Sequence, residues 1–222
     1  MSGITMKTAL VLGATGLTGS VLLQKLLQDD RYRQVICVAR RPIDIDNKKL
    51  VFTELSEQQL QGIYQQYSID DVFCCLGTTI KKAKSKDAFI KVDKDLVVMA
   101  GKHAANAGVN KFVVISALGA RTNSFSFYNR IKGEMEAQLQ NRGLQHLVIV
   151  RPSLILGPRQ ESRTGEDIAK RIYHLGSLLI DRLLPAYRPV EASKIAQMMI
   201  NQANQSSPDS LTVVENKDIH NL

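Results

Sequence analysis

Short apolar runs alternate with helical patterns from one end of the chain to the other. The strand-like runs are Thr8–Leu12, Gln34–Ala39, Leu50–Thr53, Asp71–Leu76, Lys111–Ser116, Gln145–Val150 and Leu211–Glu215. The first, second, fourth, fifth and sixth are continuous in Val, Ile, Leu, Phe and Cys instead of alternating with polar residues. A continuous run means burial on both faces, as in a parallel strand covered by helices. The clearest helix is predicted from about Lys86 to Ala107. Its apolar positions Phe89, Val92, Leu96, Met99, His103 and Ala107 recur at steps of three and four, and Gly108 is the expected stop. Further helical stretches run over Val21–Leu27, Phe127 to about Leu139, and Gly165–Leu184. Strand–helix alternation predicts right-handed βαβ units and a doubly wound α/β sheet. No repeat, low-complexity tract or linker interrupts it, so one domain is expected over residues 1–222.

Composition narrows the picture. The 222 residues are 44% hydrophobic and 23% charged, with a net charge of +8. That is ordinary globular composition and excludes wholesale disorder. No apolar run reaches the roughly 18 residues a membrane span needs. Met1–Lys7 leads into a short apolar run broken by Gly13, which is no signal peptide, so a cytosolic protein is expected. Cys37, Cys74 and Cys75 all sit in apolar stretches. Neighbours on a strand point to opposite faces and do not bridge easily, so reduced core thiols are expected. His103, His146 and His220 show no metal-ligand grouping, and no metal is expected. Basic residues exceed acidic ones equally in both halves. One cluster stands out: Lys81, Lys82, Lys84 and Lys86. With no interleaved aromatics, a solvated loop comes first, an anion-facing loop second and nucleic-acid binding a distant third.

The first strand runs into Gly13-Ala14-Thr15-Gly16-Leu17-Thr18-Gly19 and then a helix. The first glycine permits a tight turn, the middle one lets a pyrophosphate approach backbone amides, and the third lets helix pack on sheet. The anion would sit at the positive end of the helix dipole. The second strand ends in Arg40 and Arg41, where an NAD-preferring protein would usually offer a carboxylate. A guanidinium pairs with a 2′-phosphate and stacks on adenine. NADP(H) is therefore expected over NAD(H), with Arg40 the first choice and Arg41 the second.

Tyr128 and Lys132 stand four residues apart on one helix face. A free tyrosine has a pKa of about 10 and is a poor acid–base at neutral pH, and a nearby cation brings it toward the working range. Ser116 ends the fifth strand, at the edge of a parallel sheet where ligands bind, and can hydrogen-bond a substrate carbonyl as charge builds on its oxygen.

At these residues the chain resembles the atypical short-chain dehydrogenase/reductases. Phe73–Thr79 (FCCLGTT), Arg159–Arg163 (RQESR) and Glu215–His220 (ENKDIH) look like the Tat-interacting-protein (metastasis suppressor) oxidoreductase subgroup. The resemblance implies a Rossmann fold with seven parallel strands and bound NADPH. It places Leu76, Gly77 and Thr78 beside the adenosine half, and Arg151, Pro152 and Ser153 where the family's backbone holds the carboxamide. It makes Tyr128 the proton donor, Lys132 its electrostatic and ribose-binding partner, and Ser116 the orienter of the oxyanion. One departure matters. Many members use an Asn early in the helix after strand four; residues 86–99 contain none, with Lys91 and Asp93 in the vicinity.

Residues of about 151–190 are expected to cover the substrate crevice as a small substrate-side region. Arg159, Arg163, Lys170 and Arg171 there either recognise an acidic or phosphorylated substrate or pair with Glu161, Glu166 and Asp167. Two functions follow: an NADPH-dependent reductase acting on a small carbonyl or activated double bond, or an NADPH-binding redox sensor or regulator with little turnover. The substrate and the oligomeric state, a homodimer included, stay open.

Overall fold

The computed structural model describes residues 6–157 and 187–222. The main sheet has seven strands: β1 (Lys7–Leu12), β2 (Tyr32–Ala39), β3 (Leu50–Glu54), β4 (Asp71–Cys74), β5 (Lys111–Ile115), β6 (His146–Arg151) and β9 (Leu211–Glu215). Their order is β3-β2-β1-β4-β5-β6-β9, and every neighbouring pair is parallel. The two shorter strands, β7 (Ile155–Leu156) and β8 (Val190–Glu191), pair with each other. The seven strands expected from the sequence are those of the main sheet, with ends shifted by two residues at most. The doubly wound α/β reading holds.

Alternation along the strands divides the core. Ala9, Val11, Phe73, Val113 and Val148 face one side, packed by Leu22, Leu23 and Leu26 of helix α1 (Leu17–Gln28) and by Ile195 and Met199 of Ala192–Asn204, numbered α7 in chain order. Leu10, Leu12, Val72, Phe112 and Ile149 face the other. There they meet Leu60 and Ile63 of α2 (Glu57–Gln66), Val97 and Ala104 of α5 (Leu96–Asn106), and Met135 and Leu139 of α6 (Phe127–Gln140). Burial on both faces is what the continuous apolar runs require. The two short helices α3 (Ile80–Ala83) and α4 (Lys86–Ile90) follow β4, and α8 (Asn216–His220) follows β9.

The helix expected over Lys86–Ala107 exists but is not regular. Between α4 and α5 lies one π-helical turn, Lys91–Asp95. The extra residue in that turn shifts the buried stripe. Phe89 is buried as expected, but Asp93, Val97, Ala100 and Ala104 follow it in place of Val92, Leu96, Met99 and His103, which are only half-buried. Gly108 does close the helix, with φ +67°. The predicted helix Gly165–Leu184 and the Arg159–Arg163 segment, with Glu166, Asp167, Lys170 and Arg171, lie outside the described residues.

Candidate active site

The loops that leave the C-terminal ends of β1, β4, β5 and β6 surround a cavity of about 900 Å³. This is where a doubly wound sheet binds ligands.

The wall nearest β1 is the glycine turn. Gly13 has φ +80°, and a β-carbon there would lie 2.5 Å from the Cys75 carbonyl oxygen. A β-carbon on Gly19 would meet the Gly13 carbonyl, so helix and turn touch backbone to backbone. Gly16 caps α1 without any side-chain acceptor, and the first turn of the helix carries no acidic residue. Thr15, Gly16, Leu17 and Thr18 line the cavity. Uncapped amides at a helix N-terminus, with bare backbone in front of them, suit a diphosphate. The residues present fit a dinucleotide. Gly13 and Gly19 shape this wall without lining it.

Leu76, Gly77 and Thr78 form the wall after β4. Thr79 then caps α3, and Lys82 of the basic cluster reaches the cavity wall. Cys75 lines the cavity too, but burial pushes its thiol well above the ordinary value, which makes it a weak nucleophile. Cys37 and Cys74 are free and buried.

Ser116, Tyr128 and Lys132 share this cavity. The Ser116 amide donates to the Val150 carbonyl at 2.7 Å and the Leu118 amide to the Pro152 carbonyl at 2.9 Å, so the loops after β5 and β6 continue the ladder of the sheet. Ser116 is 3% exposed, and its hydroxyl has no hydrogen-bond partner among the described residues. A buried hydroxyl beside a cavity is free to meet a ligand oxygen. Ser126 caps α6, which puts Tyr128 in the first turn and Lys132 one turn deeper. Tyr128 is 40% exposed and leans on Phe89, with ring centroids 5.8 Å apart. Gly133 lets the Arg121 backbone press against α6 beside Lys132.

The structure adds a residue that the sequence reading placed only in the vicinity. Asp93, on the π-helical turn, forms an ion pair with Lys132 at 2.9 Å, and both side chains are almost fully buried. Its other oxygen accepts from the Thr78 amide at 2.8 Å. Burial works to lower the Lys132 pKa, but Asp93 and then Tyr128 outweigh it and raise it above the ordinary lysine value. Read with a 3.6-residue period, Asp93 falls beside the buried face and looks solvated. Its place four residues after Phe89 and four before Val97 was the signal.

Three predicted residues are elsewhere. Arg151 turns its guanidinium to Glu136 and Glu215, with Nε 3.0 Å from Glu136 Oε1 and the Glu215 contact at 2.8 Å, and it does not line the cavity. A buried carboxylate on α6 claims it first. Arg40 and Arg41 are exposed beyond the end of β2 and are not part of the cavity wall. Pro152 and Ser153 do line it, although the Ser153 hydroxyl donates to the Arg188 carbonyl at 2.6 Å. Among the described residues there is no cluster of His, Cys, Asp or Glu that could hold a metal, and no helix long and apolar enough to cross a membrane.

Comparison with known proteins agrees with this geometry. The NAD(P)H-binding family matches residues 13–177. Protein HTATIP2 of Rattus norvegicus is 32% identical over 223 residues, covering 97% of this chain and 89% of its own. Protein FMP52, mitochondrial, of Candida albicans is 30% identical over 224 residues, covering 96% of each. Among solved structures, a UDP-glucose 4-epimerase of Thermotoga maritima with UDP-glucose superposes with a TM-score of 0.69 at 17% identity, over 94% of this chain and 76% of that one. The Bordetella bronchiseptica enzyme WbmG, with NAD and UDP, gives 0.70 at 15%, over 95% and 73%. At those identities the likeness is one of fold. The expectation of a cytosolic protein is overturned, because FMP52 relatives from several yeasts are named mitochondrial. The lack of a signal-peptide pattern does not by itself identify a compartment. From the glycine turn to the last strand, the chain belongs to the NAD(P)H-binding Rossmann family, in the branch that includes the Tat-interacting protein and FMP52.

Proposed function

We propose that the protein is an NADPH-dependent oxidoreductase that reduces a small carbonyl or an activated double bond. The observation that carries this reading is the convergence of the glycine turn with Ser116, Tyr128 and Lys132 on one cavity. A bound nicotinamide would supply the hydride. The unpartnered Ser116 hydroxyl is placed to donate to the substrate oxygen as negative charge gathers there. Tyr128, half open to the cavity, gives the proton, and the Lys132 ammonium stabilises the phenolate left behind.

Preference for the phosphorylated cofactor rests on register. Leu12 lies opposite Val38, so Arg40 leaves β2 alongside the glycine turn. An exposed guanidinium there would pair with a ribose 2′-phosphate, and Arg41 follows it. An acidic substrate belongs to the same proposal, with Lys82 as a cation at the wall. The single-domain organisation over residues 1–222 is likewise proposed.

The test is titration with NADPH and NADH, followed by NADPH oxidation against a carbonyl panel with Tyr128→Phe as control. Tighter NADPH binding and turnover lost in the variant support the proposal. NADH preference refutes the Arg40 argument. NADPH binding without turnover on any substrate, unchanged in the variant, favours a redox-sensing regulator.

A further inference from the structure

Asp93 is a buried charge that the proposed chemistry has not used. The π-helical turn brings it onto the face of Phe89 and Val97, both fully buried, where a regular helix would set Val92. A carboxylate there must have both oxygens occupied or it costs several kcal/mol. Both are occupied: Oδ1 by the Lys132 ammonium at 2.9 Å, Oδ2 by the Thr78 amide at 2.8 Å. Gly77 lies beside the pair, where a β-carbon would make ordinary van der Waals contact, 3.4 Å from Asp93 Oδ1 and 4.0 Å from Lys132 Nζ.

We propose that Asp93 is the positioning residue of the site, its carboxylate clamping the Lys132 ammonium and the Thr78 amide so that the cation beside Tyr128 and the loop after β4 form one rigid unit. The groups that face Lys132 are Asp93 on the π-helical turn, Tyr128 on its own helix and the Cys74 thiol at the end of β4. Asp93 is what keeps the ammonium charged against its burial. Without the carboxylate, burial is left to act on Lys132, and the ammonium releases its proton at lower pH. This inference takes its purpose from the oxidoreductase reading, but its test does not involve the cofactor.

The test is acetylation of the full chain with acetic anhydride, from neutral pH to about 11, with each lysine followed by peptide mass spectrometry. The reagent reaches Lys132 through the cavity that it lines. In the unaltered protein Lys132 is expected to become reactive at higher pH than the exposed Lys102 and Lys217. A midpoint at or below theirs overturns the proposal. Asp93→Asn keeps an acceptor for the Thr78 amide but no charge. In it Lys132 is expected to react about tenfold faster, equivalent to roughly one pKa unit, with Lys102 unchanged, and Asp93→Glu is expected to restore protection. A folded Asp93→Asn protein with an unchanged Lys132 rate also overturns it. Should that variant fail to fold, the midpoint in the unaltered protein still decides. A chain that bound no NADPH would sink the oxidoreductase reading and leave this result standing.

Discussion

Two buried aspartates mark the two edges of the sheet. Asp71 opens β4 at the lower edge; Asp93 lies past the end of β4 at the upper. Each is fully buried, and each pairs with a lysine. Asp71 Oδ2 accepts from the Tyr32 hydroxyl at 2.7 Å and the Lys7 ammonium at 3.0 Å, and Asn204 donates to the same Tyr32 oxygen at 3.0 Å. The Lys7 side chain is 24% exposed and also reaches the Ala203 carbonyl, so its charge has water and a second acceptor. The Lys132 side chain is 4% exposed and faces the cavity beside Tyr128. The lower pair ties β1, β2, β4 and α7 together. The upper pair holds a cation that cannot leave, next to a phenol. An ion pair serves chemistry when its cation is confined against a cavity, and only architecture when that cation can turn to solvent.

The largest expected effect separates the edges by function. Tyr128→Phe should lower turnover by about 10²–10⁴ with the melting temperature unchanged, because the ring keeps its contact with Phe89. Asp71→Asn should leave turnover per folded molecule as it was. Loss of turnover in folded Asp71→Asn protein would erase the division.

Stability should divide the other way. Asp93→Asn strands a buried ammonium, which costs about 3 kcal/mol. Asp71→Asn leaves Lys7 with Ala203 and water and keeps an acceptor for Tyr32, so its cost should stay below about 1 kcal/mol. Urea unfolding measures both, and equal losses would mean that confinement of the cation is not what matters. Next in size, Arg40→Ser should weaken NADPH binding about tenfold and leave NADH binding alone, as isothermal titration would show. An equal loss for both cofactors would remove Arg40 from 2′-phosphate recognition.

The strands and the frame of the upper edge were legible in the sequence; the buried network around Asp71 was not. Continuous apolar runs such as that in Gln34–Ala39 mark strands buried on both faces, and Gly13, Gly16 and Gly19 fall where backbone contacts leave no room for a β-carbon or a helix starts uncapped. Ser116, Tyr128 and Lys132 were readable because their spacing places them at a strand end and on one helix face. Asp93 was not, because a π-helical turn breaks the period by which faces are read, and its spacing of four from both Phe89 and Val97 is the one trace it leaves in the sequence. The partners of the Arg151 side chain at the end of β6 were not legible either, because Glu136 and Glu215, which take its guanidinium, are remote in sequence.

The smallest expected effect is the dependence of stability on pH, and here the two aspartates should act in different windows. Lys132 has its pKa raised in the fold by Asp93 and Tyr128 against its burial. Its contribution is therefore whole below the unfolded value of 10.5 and is lost as pH climbs through the higher folded one. Burial, partly opposed by Lys7 and Tyr32, raises the pKa of Asp71 above 3.8. The folded chain then holds a proton that the unfolded chain has released, so this contribution too is whole below 3.8 and falls as pH rises through the folded value. Unfolding midpoints measured as differences from the unaltered protein isolate each group. Asp71→Asn should gain on it between pH 3.8 and neutrality, while Asp93→Asn should gain on it only in alkali, starting below 10.5 because burial alone then lowers the Lys132 pKa, and continuing above 10.5 as the unaltered protein loses its own contribution. Two difference curves that bend in the same window would show that the aspartates are not independent, and the contrast between the edges would fail.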